Sequence, residues 1–416
     1  MAAGDWTLQE AEGWLLGLEL FGMSFGLERM QALTAQLGEP QRRFRSVHVV
    51  GSNGKSSTTR KIAAIVEAHG IRSGAFLSPH LVSFAERVLV GGEDLAGEAF
   101  AVCAARVHGA VATVDAAQTG AERVTQFEAV TATAYDALAE AGVEVAAIEA
   151  GLGGRYDATN VLDAEVAVLT SVGLEHTRWL GDTIAQIAAE KLAVVRDGAT
   201  LVIGPGLHPD ALAAAEQTCS ERGARLVRAP ADAGVVLLAL GAFQRANFAV
   251  AREAARAILG ELDDDAVARA AAGTAVPGRF EVVSDDPVTI FDGAHNPDGV
   301  LALAAALPEF VAGRRLVACV SILDDKDAAA MLGDLAPLCC DLVLTTARNP
   351  RAVPAQTLAA LVPAGGPAVH AELAPHAALA LARDLAGDEG VVLATGSLYL
   401  LADLLRPPDA PRGSVL

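Results

Sequence analysis

The feature that most constrains this chain is a short glycine-rich loop, GSNGKSS, at residues 51–57. The β-branched run SVHVV precedes it, and the helical stretch TTRKIAAIVEAHG follows it, with Gly70 as the expected helix end. Glycines let backbone N–H groups approach phosphate oxygens, and a helix N-terminus favours negative charge. The sequence therefore predicts a phosphate-binding loop in which Lys55 reaches the terminal phosphates. The loop residues expected to contact them are Gly51, Asn53, Gly54, Lys55, Ser56 and Ser57.

Apolar strand candidates alternate with Ala-rich helical stretches through the first two thirds of the chain. The strand candidates are 143–151, 164–172 and 199–204, and the helical stretches are 98–112, 127–141, 183–193 and 209–222. Strands that alternate with helices indicate a mostly parallel, doubly wound sheet. Residues 5–38 are expected to be helical and amphipathic, with no obvious catalytic group.

A domain boundary is predicted at AGTAVPGRF, residues 272–280, where Gly, Pro and Gly interrupt the Ala-rich helical pattern. After this segment the alternation of strands and helices restarts. We therefore expect an α/β protein of two domains, with a larger one over residues 1–274 that carries the phosphate loop. The second, over residues 275–416, is a smaller Rossmann-like domain.

Charge and composition exclude some classes of function. A formal net charge of −20 argues against general nucleic-acid binding, which needs Lys and Arg to neutralise phosphates. No apolar run approaches the ~20 residues of a membrane span, and the N-terminal residues do not resemble a signal peptide. The five Cys form no C-x-x-C pair, which is typical of reduced thiols. We expect a cytoplasmic protein with no membrane or nucleic-acid partner and no structural zinc.

Lysine is rare in this chain. Only four of the 31 basic residues are Lys, namely Lys55, Lys61, Lys191 and Lys326. Arg is permanently charged and bulky, whereas Lys is compact and its amine can be deprotonated and modified. Three of the four lysines fall inside motifs, so a role that Arg could not perform is expected at those positions.

The motifs that contain candidate functional residues follow one another along the chain. They are GSNGKSS, SPHL (78–81) with Glu86-Arg87, TQFEAV, EAGLGGRYDATN (149–160), GLEHT (173–177), EK (190–191), PGRFE, DGAHNP (292–297), DDKD (324–327), NPRA and GSLYL (396–400). In this order they resemble the dihydrofolate synthase/folylpolyglutamate synthase family of the Mur ligase superfamily. The resemblance implies a P-loop ATPase domain, a C-terminal Rossmann-like domain and an active site between them. In the implied reaction, ATP converts a folate-type carboxylate to an acyl phosphate, which the amine of L-glutamate attacks.

The resemblance also assigns residues to ATP and to two Mg²⁺ ions. Ser78, Glu149 and His176 resemble the family's metal ligands, and Ser57 is a further candidate for metal or phosphate. Lys191 falls on a lysine that is often carbamylated in the family, although EKLAV here replaces the family's E-K-A-G. Such a carbamate is an anion able to hold a second Mg²⁺. The residues implied to touch ATP outside the loop are Asn247, Arg279 and Asp292, and those implied in catalysis are Lys191, His176, Asp292 and His295.

Substrate contacts are implied in both domains. The folate-type substrate is expected near Pro79, His80, Glu86, Arg87, Phe127 and Arg155, with Phe84 and Gln126 in the same region. The incoming glutamate is expected near His295, Ser397 and Tyr399, with Lys326 and Arg351 as carboxylate-binding candidates. Lys326 could equally form a structural pair with Asp324 or Asp327.

Two other functions share part of this pattern. A Mur-type ligase acting on another carboxylate would share the loop, Glu149, His176 and Lys191, but about 45 residues before the loop are few for a UDP-binding domain. A P-loop nucleotide switch would need no second domain carrying DGAHNP. The sequence leaves open whether the acceptor is dihydropteroate, tetrahydrofolate or both, and a monomer is expected.

Overall fold

The computed structural model describes residues 6–18, 26–118 and 122–408. The chain divides into two compact units. The first holds the chain up to Leu238 together with Arg245–Thr274, and the second holds Ala239–Gln244 and the chain from Ala275 onward. Each unit is built on one sheet, with eight strands in the first and six in the second.

The sheet of the first unit places its phosphate loop near the middle. Its strands are β1 (Arg45–Val50), β2 (Ser73–Phe76), β3 (Val88–Val90), β4 (Glu93–Asp94), β5 (Val145–Glu149), β6 (Val166–Leu169), β7 (Thr200–Ile203) and β8 (Arg225–Arg228). Their order is β4-β3-β2-β5-β1-β6-β7-β8, with β3 and β4 antiparallel at one edge and the other six strands parallel. Val49 pairs with Glu149, and Val50 pairs with Leu169. The carboxyl ends of β5, β1 and β6 therefore lie side by side.

Helices cover both faces of this sheet. They are α1 (Leu8–Leu16), α2 (Glu28–Gln36), α3 (Lys55–Ala68), α4 (Gly97–Ala117), α5 (Gln126–Glu140), α6 (Thr177–Leu180), α7 (Ile184–Leu192), α8 (Pro209–Arg222), α9 (Ala242–Leu259) and α10 (Asp264–Gly273). Val47 and Val49 of β1 pack with α3, α9 and α10 on one face. The opposite face packs with α5 and its neighbours at one end and with α7 and α8 at the other.

The second unit is a smaller sheet of the same kind. Its strands are β9 (Glu281–Asp285), β10 (Val288–Phe291), β11 (Leu316–Val320), β12 (Asp341–Leu344), β13 (Ala368–Ala371) and β14 (Val391–Thr395). Its helices are α11 (Pro297–Val311), α12 (Ala328–Leu335), α13 (Ala355–Ala359), α14 (Pro375–Ala386) and α15 (Leu398–Leu405). The strand order is β13-β12-β11-β14-β10-β9, and only β9 is antiparallel. β14 lies between β10 and β11, so the order in which the chain adds strands to the sheet reverses at this point. Open α/β sheets bind ligands beyond the carboxyl ends of the strands at such a reversal.

The predicted fold class is confirmed: both units are α/β, and both sheets are mostly parallel. The helical prediction for residues 5–38 was too long. The described part of that stretch holds two separate helices, α1 and α2, and residues 1–5 and 19–25 lie outside the described structure. The predicted strands were also too long at their ends. For example, 143–151 forms a strand only over Val145–Glu149, because the glycines after Glu149 turn the chain.

One described helix, α4, is long and apolar enough to cross a membrane by length and composition alone. Half of its most apolar window is buried. Phe100, Val107 and Val111 of this helix belong to the largest core cluster of the first unit. The core helix of a globular protein passes the same test, so this finding is weak evidence for a membrane span.

Candidate functional site

The phosphate loop is a tight turn between β1 and α3 that only small residues can form. Gly54 has φ +85°, and a Cβ added there would lie 2.5 Å from Oδ1 of Asn247. A Cβ added at Gly51 would lie 1.9 Å from Oγ1 of Thr170. The loop is therefore enclosed by β6 on one side and by Asn247 of α9 on the other. The structure brings Asn247 to the loop, and its contact with the nucleotide stays a prediction.

The loop is held by the polar residues that follow β6. The N–H of Ser52 donates to the carbonyl of Ser171 at 2.9 Å, and the N–H of Asn53 donates to Oγ of Ser171 at 2.9 Å. Oγ1 of Thr170 donates to the carbonyl of Asn53 at 2.7 Å. The sequence analysis gave Thr170 and Ser171 no role. The available signal was a Thr-Ser pair directly after an apolar strand.

Glu149 ends β5 and is the carboxylate of this site. It is 1% exposed, and its Oε1 accepts a hydrogen bond from Oγ of Ser56 at 2.9 Å. Its Oε2 accepts from the N–H of Ser78 at 3.1 Å. The turn after β5 is capped by another residue, Asp157, which accepts from the N–H of Leu152. The carboxylate of Glu149 therefore joins the phosphate loop to the SPHL segment.

The predicted metal ligands lie at or beyond the carboxyl ends of three parallel strands, of which β2 and β5 are neighbours while β1 separates β5 from β6. Ser78 follows β2, Glu149 ends β5, and His176 follows β6. Ser57 is buried in the first turn of α3. Within the described ranges no three His, Cys, Asp or Glu side chains form a group that could hold a metal. The candidate ligands offer one carboxylate, from Glu149, and the hydroxyls of Ser57 and Ser78. This donor set fits Mg²⁺, which is commonly bound by one or two carboxylates together with waters and nucleotide phosphates.

Lys191 of α7 is buried beneath the phosphate loop. Its side chain is 2% exposed, and its Nζ lies 3.1 Å from the Gly51 carbonyl and 3.1 Å from Oε1 of Glu175. Burial lowers the pKa of Lys191, while Glu175 opposes this shift. Burial also raises the pKa of Glu175, but the positive charges of Lys191, Lys55 and His176 outweigh it and lower that pKa to about 2. The two groups thus lie at the distance of a buried salt bridge.

Glu175 received no role in the sequence analysis, although it adjoins His176 in the GLEHT motif. The loop's own lysine, Lys55, donates through Nζ to the carbonyls of Gly51 and Ser52 at 2.9 and 3.2 Å. Two lysines therefore converge on the carbonyl of Gly51. This places two positive charges at the loop where a polyphosphate would bring negative charge.

Several predicted folate contacts have internal partners in the segment between β2 and β3. The carboxylate of Glu86 accepts hydrogen bonds from the N–H groups of Leu81, Val82 and Ser83. Nε of Arg87 donates to Nδ1 of His80 at 2.9 Å, and both side chains are buried. Hydrogen bonds of Glu86, Arg87 and His80 within the segment therefore fix its conformation.

The other two predicted folate contacts meet at the loop after β5, with Arg155 in the loop and Phe127 packed on it from the start of α5. The ring of Phe127 lies against the backbone of Gly151, where a Cβ would be 2.5 Å from the ring. Phe127 also packs 6.2 Å from Phe76 between ring centroids. Arg155 pairs with Glu190 of α7 at 3.0 Å near the surface. The structure thus brings Phe127 and Arg155 to this loop, and it gives Arg155 a protein partner.

In the second unit, Arg279 and Asp292 meet at the carboxyl end of β10. The carboxylate of Asp292 is buried and accepts from the N–H groups of Phe280 and Ala294, both at 2.8 Å. Burial raises the pKa of Asp292, and the charge of Arg279 opposes this shift. A Cβ at Gly293 would lie 2.1 Å from a guanidinium nitrogen of Arg279. The glycine therefore allows Arg279 to lie across this loop.

The histidine and serine predicted near the incoming glutamate also have backbone partners. Nδ1 of His295 is 2.8 Å from the carbonyl of Gly293. Ser397 caps α15, because its Oγ accepts from the N–H of Tyr399 at 3.1 Å. Both residues lie in loops that follow parallel strands of the same sheet. They are placed where that sheet could bind a ligand, and their backbone contacts fix their positions.

A second charged group follows β11 and β12. Lys326 pairs with Asp325 at 3.0 Å, so the expected pairing with Asp324 or Asp327 is wrong. Asp327 is engaged elsewhere, because its side chain caps α12 by accepting from the N–H of Ala330. Arg351 lies 3.8 Å from Asp325 and 3.5 Å from the hydroxyl of Tyr399. Lys326, Arg351 and Tyr399 are therefore brought to one place in the second unit.

These two units, with a phosphate loop on a parallel sheet in the first, define a P-loop α/β protein of the Mur ligase type. The sequence profile described as "Mur ligase, glutamate ligase domain" matches residues 278–398. The chain is 35% identical to the dihydrofolate synthase/folylpolyglutamate synthase of Mycobacterium tuberculosis, with 80% of this chain and 76% of that one covered. It is 33% identical to that of Escherichia coli, with 94% and 93% covered. The chain belongs to the dihydrofolate synthase/folylpolyglutamate synthase family.

Solved structures agree with this assignment over nearly the whole chain. The Mycobacterium tuberculosis folylpolyglutamate synthase complexed with ADP has a TM-score of 0.89 at 31% identity, covering 96% of this chain and 97% of that one. Escherichia coli FolC in complex with DHPP and ADP has a TM-score of 0.86 at 30% identity, covering 97% of each. A bifunctional folylpolyglutamate synthase/dihydrofolate synthase with Mn, AMPPNP and L-glutamate bound has a TM-score of 0.83 at 28% identity, covering 97% of this chain and 98% of that one.

Proposed function

We propose that this chain is an ATP-dependent ligase that joins the amine of L-glutamate to the carboxylate of a pteroate or folate. The observation that carries the proposal is Glu149, a buried carboxylate bonded to Ser56 of a phosphate loop, in a chain that belongs to this family. A carboxylate is a poor acyl donor. Transfer of the γ-phosphoryl group of ATP to its oxygen would release ADP and give an acyl phosphate. The glutamate amine would then attack the carbonyl carbon, and phosphate would leave.

In the first unit, the phosphate loop would bind the ATP phosphates. The backbone N–H groups of α3's first turn and the amine of Lys55 would face the β- and γ-phosphates. Asn247, packed on Gly54, is proposed to contact the nucleotide. Phosphoryl transfer depends mainly on positioning and charge neutralisation, so a loop held by Thr170 and Ser171 suits it.

The chemistry of these ligands fits Mg²⁺, and we propose two ions. Glu149, Ser57, Ser78 and His176 would hold them together with phosphate oxygens. When bound, Mg²⁺ would neutralise phosphate charge and orient the transferred group. Support for a divalent metal comes from the related bifunctional enzyme that was solved with Mn, AMPPNP and L-glutamate.

We propose that Lys191 becomes a carbamate that adds an anion to the metal site. Its burial favours the neutral amine that reacts with CO₂, which supports the proposal. The carboxylate of Glu175, 3.1 Å from Nζ, opposes it because a carbamate would be a second anion beside it. A nearby cation would have to offset this repulsion. Without the modification, Lys191 would instead hold Gly51 and Glu175 together as an ammonium.

In the second unit, two sets of residues are proposed to contact the substrates. Arg279 and Asp292 are proposed to contact ATP, with Arg279 neutralising phosphate charge. The residues proposed for the incoming glutamate are His295, Lys326, Arg351, Ser397 and Tyr399. Support comes from the position of Lys326, Arg351 and Tyr399 around Asp325, where two cations could hold carboxylates.

The folate-type substrate is proposed to lie at the SPHL segment and the loop after β5. Pro79, His80 and Phe127 would contact it, and Glu86, Arg87 and Arg155 would shape the site through their internal partners. The Escherichia coli structure with DHPP supports a pterin substrate. A Mur-type ligase for another carboxylate remains the second candidate. A cytoplasmic location stays a prediction, and the five free thiols favour a reducing compartment. The expected monomer also stays a prediction.

The experiment is a ligation assay on the purified protein with ATP, Mg²⁺, L-glutamate and one acceptor at a time. Dihydropteroate, tetrahydrofolate and a UDP-sugar peptide are compared, and products are identified by mass. We expect glutamate to be added to at least one pterin, with ADP released in equal amount. Addition of an amino acid only to the UDP-sugar peptide would contradict the proposal.

A further inference from the structure

We propose that Glu12 of α1 is a positioning residue for the folate-type substrate. It would act by fixing the C-terminal end of the stretch 78–84, which begins with SPHL and is called the SPHL segment here. The proposal rests on the proposed function, because it assigns a role to a residue outside the motifs. Nothing in the sequence around Glu12 signals this role.

α1 is anchored firmly enough to act as a fixed support. Ala11 and Leu15 are fully buried in the core of the first unit. Leu8 packs so closely on Gly97 of α4 that an added Cβ there would lie 2.9 Å from it. Thr7 begins the helix with a capping box to Glu10. The helix is thus fixed both along its buried side and at its N-terminus.

Glu12 lies one turn after Leu8 and directs its carboxylate at the SPHL segment. Its Oε1 accepts a hydrogen bond from Oγ of Ser83 at 2.7 Å and from the N–H of Phe84 at 3.0 Å. The side chain is half-buried. Two hydrogen bonds to one oxygen thus tie α1 to a distant part of the chain.

The other end of the segment is fixed at the phosphate loop. The N–H of Ser78 donates to Glu149, which also holds Ser56. Pro79 and His80, the proposed substrate contacts, therefore lie between two carboxylate anchors, Glu149 and Glu12. Without the second anchor, the segment would keep its tie at the nucleotide end and its internal bonds to Glu86, but it would lose its tie to α1 at the pterin end.

α1 also holds the other wall of the proposed pterin site. Gln126, fully buried at the start of α5, donates through Nε2 to the carbonyl of Leu15 at 2.7 Å. The next residue, Phe127, is a proposed substrate contact. One helix thus sets the SPHL segment, through Glu12, and the start of α5, through Leu15. Loss of Glu12 should weaken pterin binding and leave nucleotide binding unchanged.

The test measures the dissociation constants of dihydropteroate, with AMPPNP and Mg²⁺ present, and of AMPPNP alone, for the wild type and three variants. E12A removes both hydrogen bonds and should weaken dihydropteroate binding on the order of tenfold, with AMPPNP binding within about twofold of the wild type. E12Q keeps an oxygen acceptor and should bind nearly as the wild type does. E10A removes the capping box of the same helix, so it should lower thermal stability without weakening pterin binding.

A fourth variant, S83A, keeps the test decisive if E12A does not fold. It removes one of the two donors and should weaken dihydropteroate binding about threefold. Unchanged binding in E12A or S83A would overturn the proposal. Equal losses in E10A and E12A, or in E12Q and E12A, would also overturn it, since helix stability or charge would then be the cause. Binding needs no turnover, so a wild type that binds dihydropteroate but does not ligate glutamate contradicts only the proposed function.

Discussion

The two units carry their proposed site residues at the carboxyl ends of parallel strands, but they hold these residues differently. In the first unit, Lys191 and Glu149 are almost fully buried and are tied to the phosphate loop by hydrogen bonds of about 3 Å. In the second, Arg351 reaches its partners only at 3.5 and 3.8 Å, and about a third of its side chain is exposed. The residues Glu149 and Lys191 of the first site are therefore preorganised, whereas Arg351 of the second can still adjust around a ligand.

This difference suits the two tasks proposed for the units. Phosphoryl transfer gains most from groups that are already in place when charge develops. A carboxylate substrate such as glutamate can be bound by a cationic side chain that adjusts its position, because the binding free energy comes from charge and bidentate hydrogen bonds. Variants in the first unit should accordingly lower kcat most, and variants in the second should act more mildly.

The largest effect is expected for Lys55→Ala. Removing the loop amine leaves phosphate charge uncompensated, so kcat/KM should fall about 10³-fold. The fold should be retained, since Lys55 donates only to loop carbonyls. Steady-state kinetics and the thermal midpoint measure the two effects. Retention of more than about a tenth of the activity would contradict the comparison of the two units, because the preorganised loop amine would then contribute little to catalysis.

Lys191 offers the next largest effect and tests the nature of its charge. Lys191→Ala should lose roughly several hundredfold in kcat, and small acids such as acetate or formate should restore part of it if a carbamate is lost. Lys191→Arg keeps a cation but presents no anion, so it should be as inactive as the alanine variant. An active Lys191→Arg variant would show that Lys191 acts as an ammonium between Gly51 and Glu175.

Glu149→Gln should lower kcat on the order of 10²-fold, with little change in stability. The amide oxygen can still accept from Ser56 or Ser78, but it is a poor Mg²⁺ ligand. Titration of activity with Mg²⁺ provides the control, since a weakened site should require more metal. Near-normal activity with an unchanged Mg²⁺ requirement would mean that Glu149 only holds the SPHL segment in place.

Arg279→Ala sharpens the comparison from the second unit. Loss of one charged contact should cost about 2 kcal/mol in the barrier, which is about 30-fold in kcat/KM for ATP. The matched control is Arg314→Ala, because Arg314 is an arginine of the same unit that donates only to backbone carbonyls at the end of α11. Equal losses in the two variants, or a matching loss of stability in Arg279→Ala, would mark Arg279 as structural.

The fold followed from the sequence wherever a local pattern was sufficient. The strand, glycine loop and helix around Lys55 were predicted because each element has its own signal: β-branched residues, glycines and Ala-rich periodicity. The short strands β3 and β4 had no such signal. They are only three and two residues long, and their pairing is set by neighbouring strands.

The sequence named candidate site residues but not the side chains that they contact. The motifs named Glu149 and Lys191, yet the ion pair of Lys191 with Glu175 depends on where α7 packs, 16 residues further along the chain. The partner predicted for Lys326 was wrong, because three aspartates flank it in the sequence. Only the packing shows that Asp325 pairs with Lys326 while Asp327 caps α12. Glu12 was missed for the same reason, since its contact with Ser83 spans 71 residues.

The most direct test of the central claim follows oxygen from the acceptor carboxylate. Dihydropteroate or tetrahydrofolate labelled with ¹⁸O in the reacting carboxylate is incubated with ATP, L-glutamate and the wild-type protein, and the released phosphate is analysed by mass. The account predicts one ¹⁸O in each phosphate, because the carboxylate oxygen attacks the γ-phosphorus and leaves with it. Unlabelled phosphate, or release of AMP and pyrophosphate, would contradict the account.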